Sequence, residues 1–461
     1  EVEKMKKVLK FKTVCTLIFV FTLLLSACNG ANVGGNTTQP TTVPDTTTNE
    51  KEQINLVLWG AIQKENGPED AFKEFEANNP GIKIEYVYYV NDEQGNLKLD
   101  TSLMAGEDID LYYSYANDTI IKRVESGYAE DLTPWLEKAN FSMQENYGEG
   151  YLTYKDKIYS IPTAREFQFI YINKSIFDKA GIPVPKEWSI DEYREITKKL
   201  TTTEGGKKIY GGCWPWVLAP ICKSAMHVPL LGLDSFYNNE GLSNFDHPVF
   251  KDSLNLMVDL MINDKSHMNM IEFESSKLTP YGELLNGKAA TVASGSWLIR
   301  YIKNVADYPH DFVVAAAPFP TLEKGKPDYV WQGYNNNIMM NKNSAKKEAA
   351  FEYIKYMATE GQLNYAKAGK PASWIKVSKE TAIKGLLGEN PGKLFDVESF
   401  EWVLFNRPVK LTQNTKTVAL PEIYNIWRQE IEKTLSGAQD VDTSLANAKR
   451  NADKAITDAS K

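Results

Sequence analysis

The residues best suited to chemistry in this chain are aromatic. Of 461 residues, ten are Trp, twenty-four Tyr and nineteen Phe, 11% in all. Trp and Tyr join a flat apolar face to one polar handle, which suits them to gripping flat, half-polar ligands as well as to filling cores. Trp214-Pro-Trp216 is the clearest case. It sits in a Gly- and Pro-rich stretch with no helical or strand period to carry two indoles into a core. Trp59 closes the apolar run INLVLWG (54–60), and Gln63 and Lys64 follow it. Ligands of open α/β sheets gather at the carboxyl ends of strands, so this turn is a candidate contact; a core role for Trp59 is the alternative. Asn117 and Asp118 follow the strand-like run IDLYYSY (109–115) in the same way. Capping a helix that begins at Thr119 is their alternative role. Arg165 and Glu166 are adjacent opposite charges in a long apolar run, and an exposed pair is one reading of them.

Other chemistries find less support. No P-loop, GxGxxG, HExxH or nucleophile elbow stands at a strand–helix junction. Two carboxylates at the right separation would make a glycoside hydrolase, but a sequence does not measure separation. Cys15, Cys28, Cys213 and Cys222 lack zinc-site spacing, and His227, His247, His267 and His310 do not cluster with them. No metal and no cofactor is therefore expected. Cys213 and Cys222 are either a disulfide or two small buried hydrophobes. Fifty-two Lys+Arg against sixty Asp+Glu leave a net charge of −8, without the basic stripe of a nucleic-acid binder. With 43% hydrophobic and 24% charged residues, the composition is that of an ordinary globular protein.

The first residues read as an address. Lys4, Lys6, Lys7, Lys10 and Lys12 precede an uncharged, mostly apolar run, Val14 to Leu25. That run is too short for a typical membrane span and fits a secretory signal. Leu25-Ser26-Ala27-Cys28 resembles the lipobox of bacterial lipoproteins. The resemblance implies cleavage after residue 27 and a diacylglycerol on the Cys28 thiol, whose two chains give stable anchoring. An ordinary signal peptide with a chance cysteine is the alternative. Residues 28–51 are rich in Thr, Gly and Pro and read as a flexible tether. Loss of residues 1–27 removes five Lys and two Glu, taking the charge from −8 to −11.

From residue 54 strands alternate with helices, the signature of an α/β fold with a mostly parallel sheet. Strands are expected at 54–60, 82–89, 109–115, 311–320 and 335–341, with an unusually long one at 158–173. PEDAFKEFEANNPG (68–81) spaces Ala71, Phe72 and Phe75 for one helix face. A helix over 189–200 opens with Ser189 and Glu192, a capping box. Helices over 344–359 and 421–437 follow, the last with Pro at its start and Gly at its end.

These segments, in their order, resemble the family 1 extracellular solute-binding proteins of bacterial ABC sugar importers, the group that contains maltose-binding protein. The likeness covers about 54–456. It is carried by LVLWG with AFKEFEANNPGIKIEY, by IPTAREFQFIYINKSIFDKAGI (161–182), by GKAATVASGSW (287–297) with AAAPFP, by NKNSAKKEAAFEYIKYMATEGQ (341–362), and by Asn406-Arg407-Pro408 with LSGAQDVDTSLANA (435–448). The resemblance implies a two-lobed α/β clamp, each lobe a mainly parallel sheet flanked by helices, with about three crossings. Lobe one would be 52–165 and 317–343, and lobe two 166–316 and 344–461.

The resemblance also implies a ligand and its contacts. The ligand would be a sugar or oligosaccharide, passed by a monomer on the outer face of the membrane to the transmembrane subunits of an importer. Gln63, Asn117, Asp118 and Glu166 match polar positions of that family's cleft. Trp214, Trp216, Trp297 and Tyr424 match its aromatic platforms, and Trp331, Gln332, Tyr334 and Asn335 lie on a crossing. For Tyr424 a core role beside Trp427 is the alternative. The other functional readings are a tethered carbohydrate-binding protein without transport and a glycan-active hydrolase.

Overall fold

The structure is a computed structural model that describes residues 53–461 apart from 214–220, 278, 327, 331–332 and 412–415. Among the described residues the strands are β1 (Ile54–Gly60), β2 (Ile82–Tyr88), β3 (Leu111–Ser114), β4 (Ile161–Glu166), β5 (Gln168–Asn173), β6 (Thr202–Glu204), β7 (Lys207–Ile209), β8 (Thr291–Gly295), β9 (Val314–Ala317), β10 (Asp328–Val330), β11 (Gly333–Met340) and β12 (Val409–Leu411). They make two principal sheets. One has the order β2-β1-β3-β11-β4, and the other β8-β5-β9. The pairs β6–β7 and β10–β12 stand apart.

Strand alternation gives each sheet two buried faces. In the first sheet Leu56, Leu58, Leu111, Tyr113, Ile338 and Met340 enter one core, while Val57, Trp59, Tyr112 and Met339 enter another. In the second, Ile170, Ile172, Ala293 and Ala315 face one core, and Phe169, Tyr171, Val292 and Ala316 the opposite one. Each lobe is therefore helices, sheet, helices. The mainly parallel expectation holds for β2-β1-β3, whereas β11 runs antiparallel to both β3 and β4. It fails in lobe two, where β5 is antiparallel to both β8 and β9. The physical reason is the crossing: β5 carries the chain away from lobe one, and β8 and β9 run back toward it, β9 leading into the next crossing.

The long strand expected over 158–173 is two strands in different sheets. Only Phe167 separates Glu166, the end of β4 in lobe one, from Gln168, the start of β5 in lobe two. This is the first crossing. The second runs from Ala317 through 318–332 into β11. The third follows the 3-10 segment Glu360–Ala368.

The boundary expected at 344 is corrected. Helix Lys347–Met357 buries Ala350, Phe351, Tyr353, Ile354 and Met357 in the core of Leu56, Phe72 and Phe75, so it belongs to lobe one. Tyr353 meets Phe75 edge to face at 5.0 Å. Lobe two takes over after Gly369. Helix Lys379–Leu387 packs with Phe169 and Tyr171, and the terminal helices Leu420–Leu435 and Val441–Ala459 supply Ile423, Trp427, Ala448 and Ala452 to the other face.

Several local expectations hold. Helix Pro68–Asn78 buries Ala71, Phe72 and Phe75. Helix Ile190–Leu200 has its capping box, with Glu192 N donating to Ser189 Oγ (3.1 Å) and Ser189 N to Glu192 Oε2 (2.9 Å). Cys213 and Cys222 are free buried thiols, not a disulfide. Among the described residues no helix is long and apolar enough to cross a membrane.

Candidate functional site

The three crossings meet at one place. Strand direction puts the carboxyl ends of β1, β3 and β4 and the first residues of β11 on the same edge of the lobe-one sheet. Glu166 ends β4 there, opposite Gly333. It is 7% exposed, and its Oε2 accepts from Asn335 Nδ2 (2.9 Å) and from Lys370 Nζ (3.3 Å). Lys370 comes from the third crossing. That segment is laid along the first by two bonds, Arg165 N to the Pro371 carbonyl (2.7 Å) and Ser373 Oγ to the Pro162 carbonyl (2.7 Å).

Trp297 arrives from lobe two, one turn past β8. Its ring is partly buried and braced edge to face by Tyr281 and Tyr301, each with its centroid 6.0 Å away. Tyr281 and Tyr301 are themselves stacked at 3.8 Å. Gly295 lets Glu166 and Trp297 pack close over its backbone. A Cβ there would lie 2.4 Å from Glu166 Oε1 and 2.5 Å from Trp297 Nε1, so only glycine leaves both groups their room. Gly369 does the same for the third crossing: its φ of 72° is left-handed, and a Cβ would lie 2.6 Å from the Ser296 carbonyl oxygen.

Chemically, this corner combines a carboxylate oxygen, an indole N–H, an amide, an ammonium and a braced aromatic face. A carboxylate has about four acceptor positions, and two of Glu166's are spent on Asn335 and Lys370. Its Oε1 lies over Gly295 beside Trp297 Nε1. A glycoside hydrolase would need a second carboxylate facing the first; the groups bonded to Glu166 here are an amide and an ammonium.

The remaining candidates divide. Tyr334 pairs with Arg165, so strand alternation turns both to the other face of the sheet from Glu166 and Asn335: the Tyr334 hydroxyl donates to the Tyr147 carbonyl, Arg165 Nη2 reaches that hydroxyl at 3.1 Å, and the guanidinium carbon lies 5.2 Å from the ring centroid. Gln63, Asn117 and Asp118 are exposed on the same sheet edge. Asn117 does not cap, because the helix Asn117–Glu125 begins at it and Ala116 holds the N-cap position; Asp118 accepts from Thr119 N (2.7 Å). Trp59 is corrected. It is 5% exposed and packed with Val57, Tyr89, Leu99 and Tyr112, because the alternation of β1 turns it into the core. Tyr424 is 40% exposed while Trp427 is buried, so the tyrosine is no core residue. It accepts from Lys223 Nζ (3.0 Å), an amine whose pKa burial pushes down to about 8. Trp214, Trp216, Trp331, Gln332 and Cys28 lie outside the described residues.

Four residues of this region were missed in the sequence. Lys370 is 204 residues from its partner Glu166. Tyr281 and Tyr301 carry no local pattern. Asn336 is fully buried with φ 50°, a left-handed conformation that Asn tolerates, and neither amide atom has a partner. It sits between the ladder pairs Asn335↔Ala164 and Asn337↔Pro162. Among the described residues no group of three or more His, Cys, Asp or Glu could hold a metal.

Two lobes, three crossings and a polar-aromatic corner where they meet can be compared with known proteins. Residues 61–363 match the family model described as bacterial extracellular solute-binding protein. The chain belongs to that family. Relatives of this solute-binding protein include the multiple sugar-binding protein of Streptococcus mutans, 23% identical over 357 residues, covering 74% of this chain and 77% of that one. The sn-glycerol-3-phosphate-binding periplasmic protein of Rhizobium meliloti is 24% identical over 347 residues, covering 70% and 75%. An ABC substrate-binding protein of Listeria monocytogenes, solved with cycloalternan, superposes with a TM-score of 0.69 at 22% identity, covering 88% of this chain and 100% of that one. The solute-binding protein thus shares the fold of those clamps.

Proposed function

We propose that this solute-binding protein captures a neutral sugar or oligosaccharide in the cleft between its lobes and hands it to the permease of an ABC importer. The observation that carries the reading is the corner at Gly295. It sets a carboxylate beside a braced indole, and a sugar presents hydroxyls at its rim and C–H groups on its faces. The names of the Streptococcus and Listeria relatives support it. Glu166, Asn335 and Trp297 are the central contacts of this reading, with Tyr334, Gln63, Asn117, Asp118 and Tyr424 around them. Trp214, Trp216, Trp331 and Gln332 are further proposed contacts. Asn336 is added as an amide that meets a hydroxyl when the clamp closes. Closure shifts the population toward a form that docks on the permease. Cys28 carries the lipid anchor, the tether lets a monomer stand off the outer membrane face, and the protein performs no catalysis.

A ligand that binds only the native state raises its apparent stability. Melting the purified protein against a broad panel of neutral saccharides should raise Tm for at least one of them. No shift across the panel at millimolar concentration contradicts the reading, and hydrolysis products in the same samples would turn it toward an enzyme.

A further inference from the structure

The loop after β9 and the approach to β12 line an open pocket of about 410 Å³. That is the size of a small-molecule site. Glu166, Trp297, Tyr334, Asn335 and Lys370 do not line it, so it is separate from the cleft corner. Among the described residues its charged groups are Lys186, Lys326, Arg407 and Lys410 against one carboxylate, Glu187. The whole chain carries −8, so this wall opposes the background charge.

The rest of the wall is largely apolar and includes Trp188, Phe319 and Trp402. Both indole N–H groups are committed, Trp188 Nε1 to the Pro318 carbonyl (2.8 Å) and Trp402 Nε1 to the Lys186 carbonyl (2.9 Å). Trp188 is buried in the core, so Trp402 is the indole that offers a ring face, and it offers no donor. Lys186 Nζ lies 5.8 Å from the Trp402 ring centroid, so an anion held there is also beside a platform. Arg407 donates through Nε to the Val403 carbonyl (3.0 Å), which fixes its charge in place. Two ion pairs of the wall are surface ones: Lys186 with Glu398 (2.9 Å), whose side chain is 80% exposed, and Lys326 with Glu323 (3.4 Å). Exposed pairs of this kind contribute little, and an anion that also covers the ring competes with them. Trp402 begins the one-turn π-helix Trp402–Asn406, a distortion that recurs at functional sites.

We infer that this pocket is a second ligand site, for a ring compound bearing a carboxylate or phosphate, with Trp402 as the ring platform and Lys186, Lys326 and Lys410 as the anion-binding groups. The test is calorimetric titration of the full chain with glucuronate, glucose 6-phosphate, 4-hydroxybenzoate and glucose. At least one anion should saturate and bind tighter than glucose. Its affinity should fall about tenfold in the Lys326→Glu/Lys410→Glu variant, the loss expected when charge-assisted bonds are removed. Both lysines are exposed, so the variant should melt as the wild type does. Trp402→Ala should weaken the anion as well, and Trp297→Ala should leave it unchanged. Which arms saturate separates carboxylate from phosphate and sugar from aryl acid. Anions no tighter than glucose, an unchanged affinity in the double lysine variant, or a loss confined to Trp297→Ala would each overturn the inference. The comparison with glucose is made in Trp297→Ala, whose cleft is weakened, so that a neutral sugar held in the cleft is told apart from the second site.

Discussion

Trp297→Ala is expected to weaken saccharide binding by about 2 kcal/mol or more, some thirtyfold, while the fold persists. The magnitude follows from where the indole stands. It is partly buried, so the face that remains is desolvated when a ligand covers it. It is braced by Tyr281 and Tyr301, so little side-chain freedom is lost on binding. Its Nε1 lies over Gly295 beside Glu166 Oε1. Removal of the ring takes away the platform and leaves the carboxylate without its neighbour. Tyr281→Ala, which loosens the platform without removing it, should weaken binding less. Titration of both variants with the saccharide that raises Tm decides the matter, and wild-type affinity in Trp297→Ala removes this residue from the site.

The second large effect concerns stability. Glu166→Ala should cost about 3–5 kcal/mol, because it strands the Lys370 ammonium in a nearly buried corner. The Lys370 side chain is 11% exposed and ties the third crossing to the first. Loss of the carboxylate also frees the Asn335 amide. The Glu166→Ala/Lys370→Met double variant should recover most of the loss, since replacing both partners of a buried pair is often close to neutral. Equilibrium denaturation measures both. A loss below about 1 kcal/mol in Glu166→Ala would show the pair to be effectively solvent-exposed.

Much of the frame was legible in the sequence because it depends on local periods. The strand INLVLWG, the 3–4 spacing of Ala71, Phe72 and Phe75, and the Ser189–Glu192 capping box all reappear. Failures came where tertiary context decides. The run 158–173 has an unbroken strand composition, and nothing local marks Phe167 as the point where it changes sheets. Helix Lys347–Met357 shows its apolar face plainly, but periodicity does not say which lobe that face meets. Trp59 obeyed the alternation of its own strand, which pointed it inward and outweighed its place near the strand's carboxyl end. At the candidate site, Asn335 is bonded to Glu166, and Glu166 shares the Gly295 backbone with Trp297. Lys370 and the Tyr281–Tyr301 brace reach them only through the crossing and through stacking between distant segments. Asn336 was passed over because its burial and left-handed backbone are properties of β11 in place, not of the Asn335-Asn336-Asn337 run.

The central claim is a clamp that closes on a saccharide at the meeting of three crossings. Small-angle scattering of the full chain, with and without the saccharide that raises its Tm, tests it most directly. The account predicts a smaller radius of gyration at saturation, and a smaller or absent change in Trp297→Ala at the same ligand concentration. An unchanged radius with the wild-type protein demonstrably saturated would contradict it.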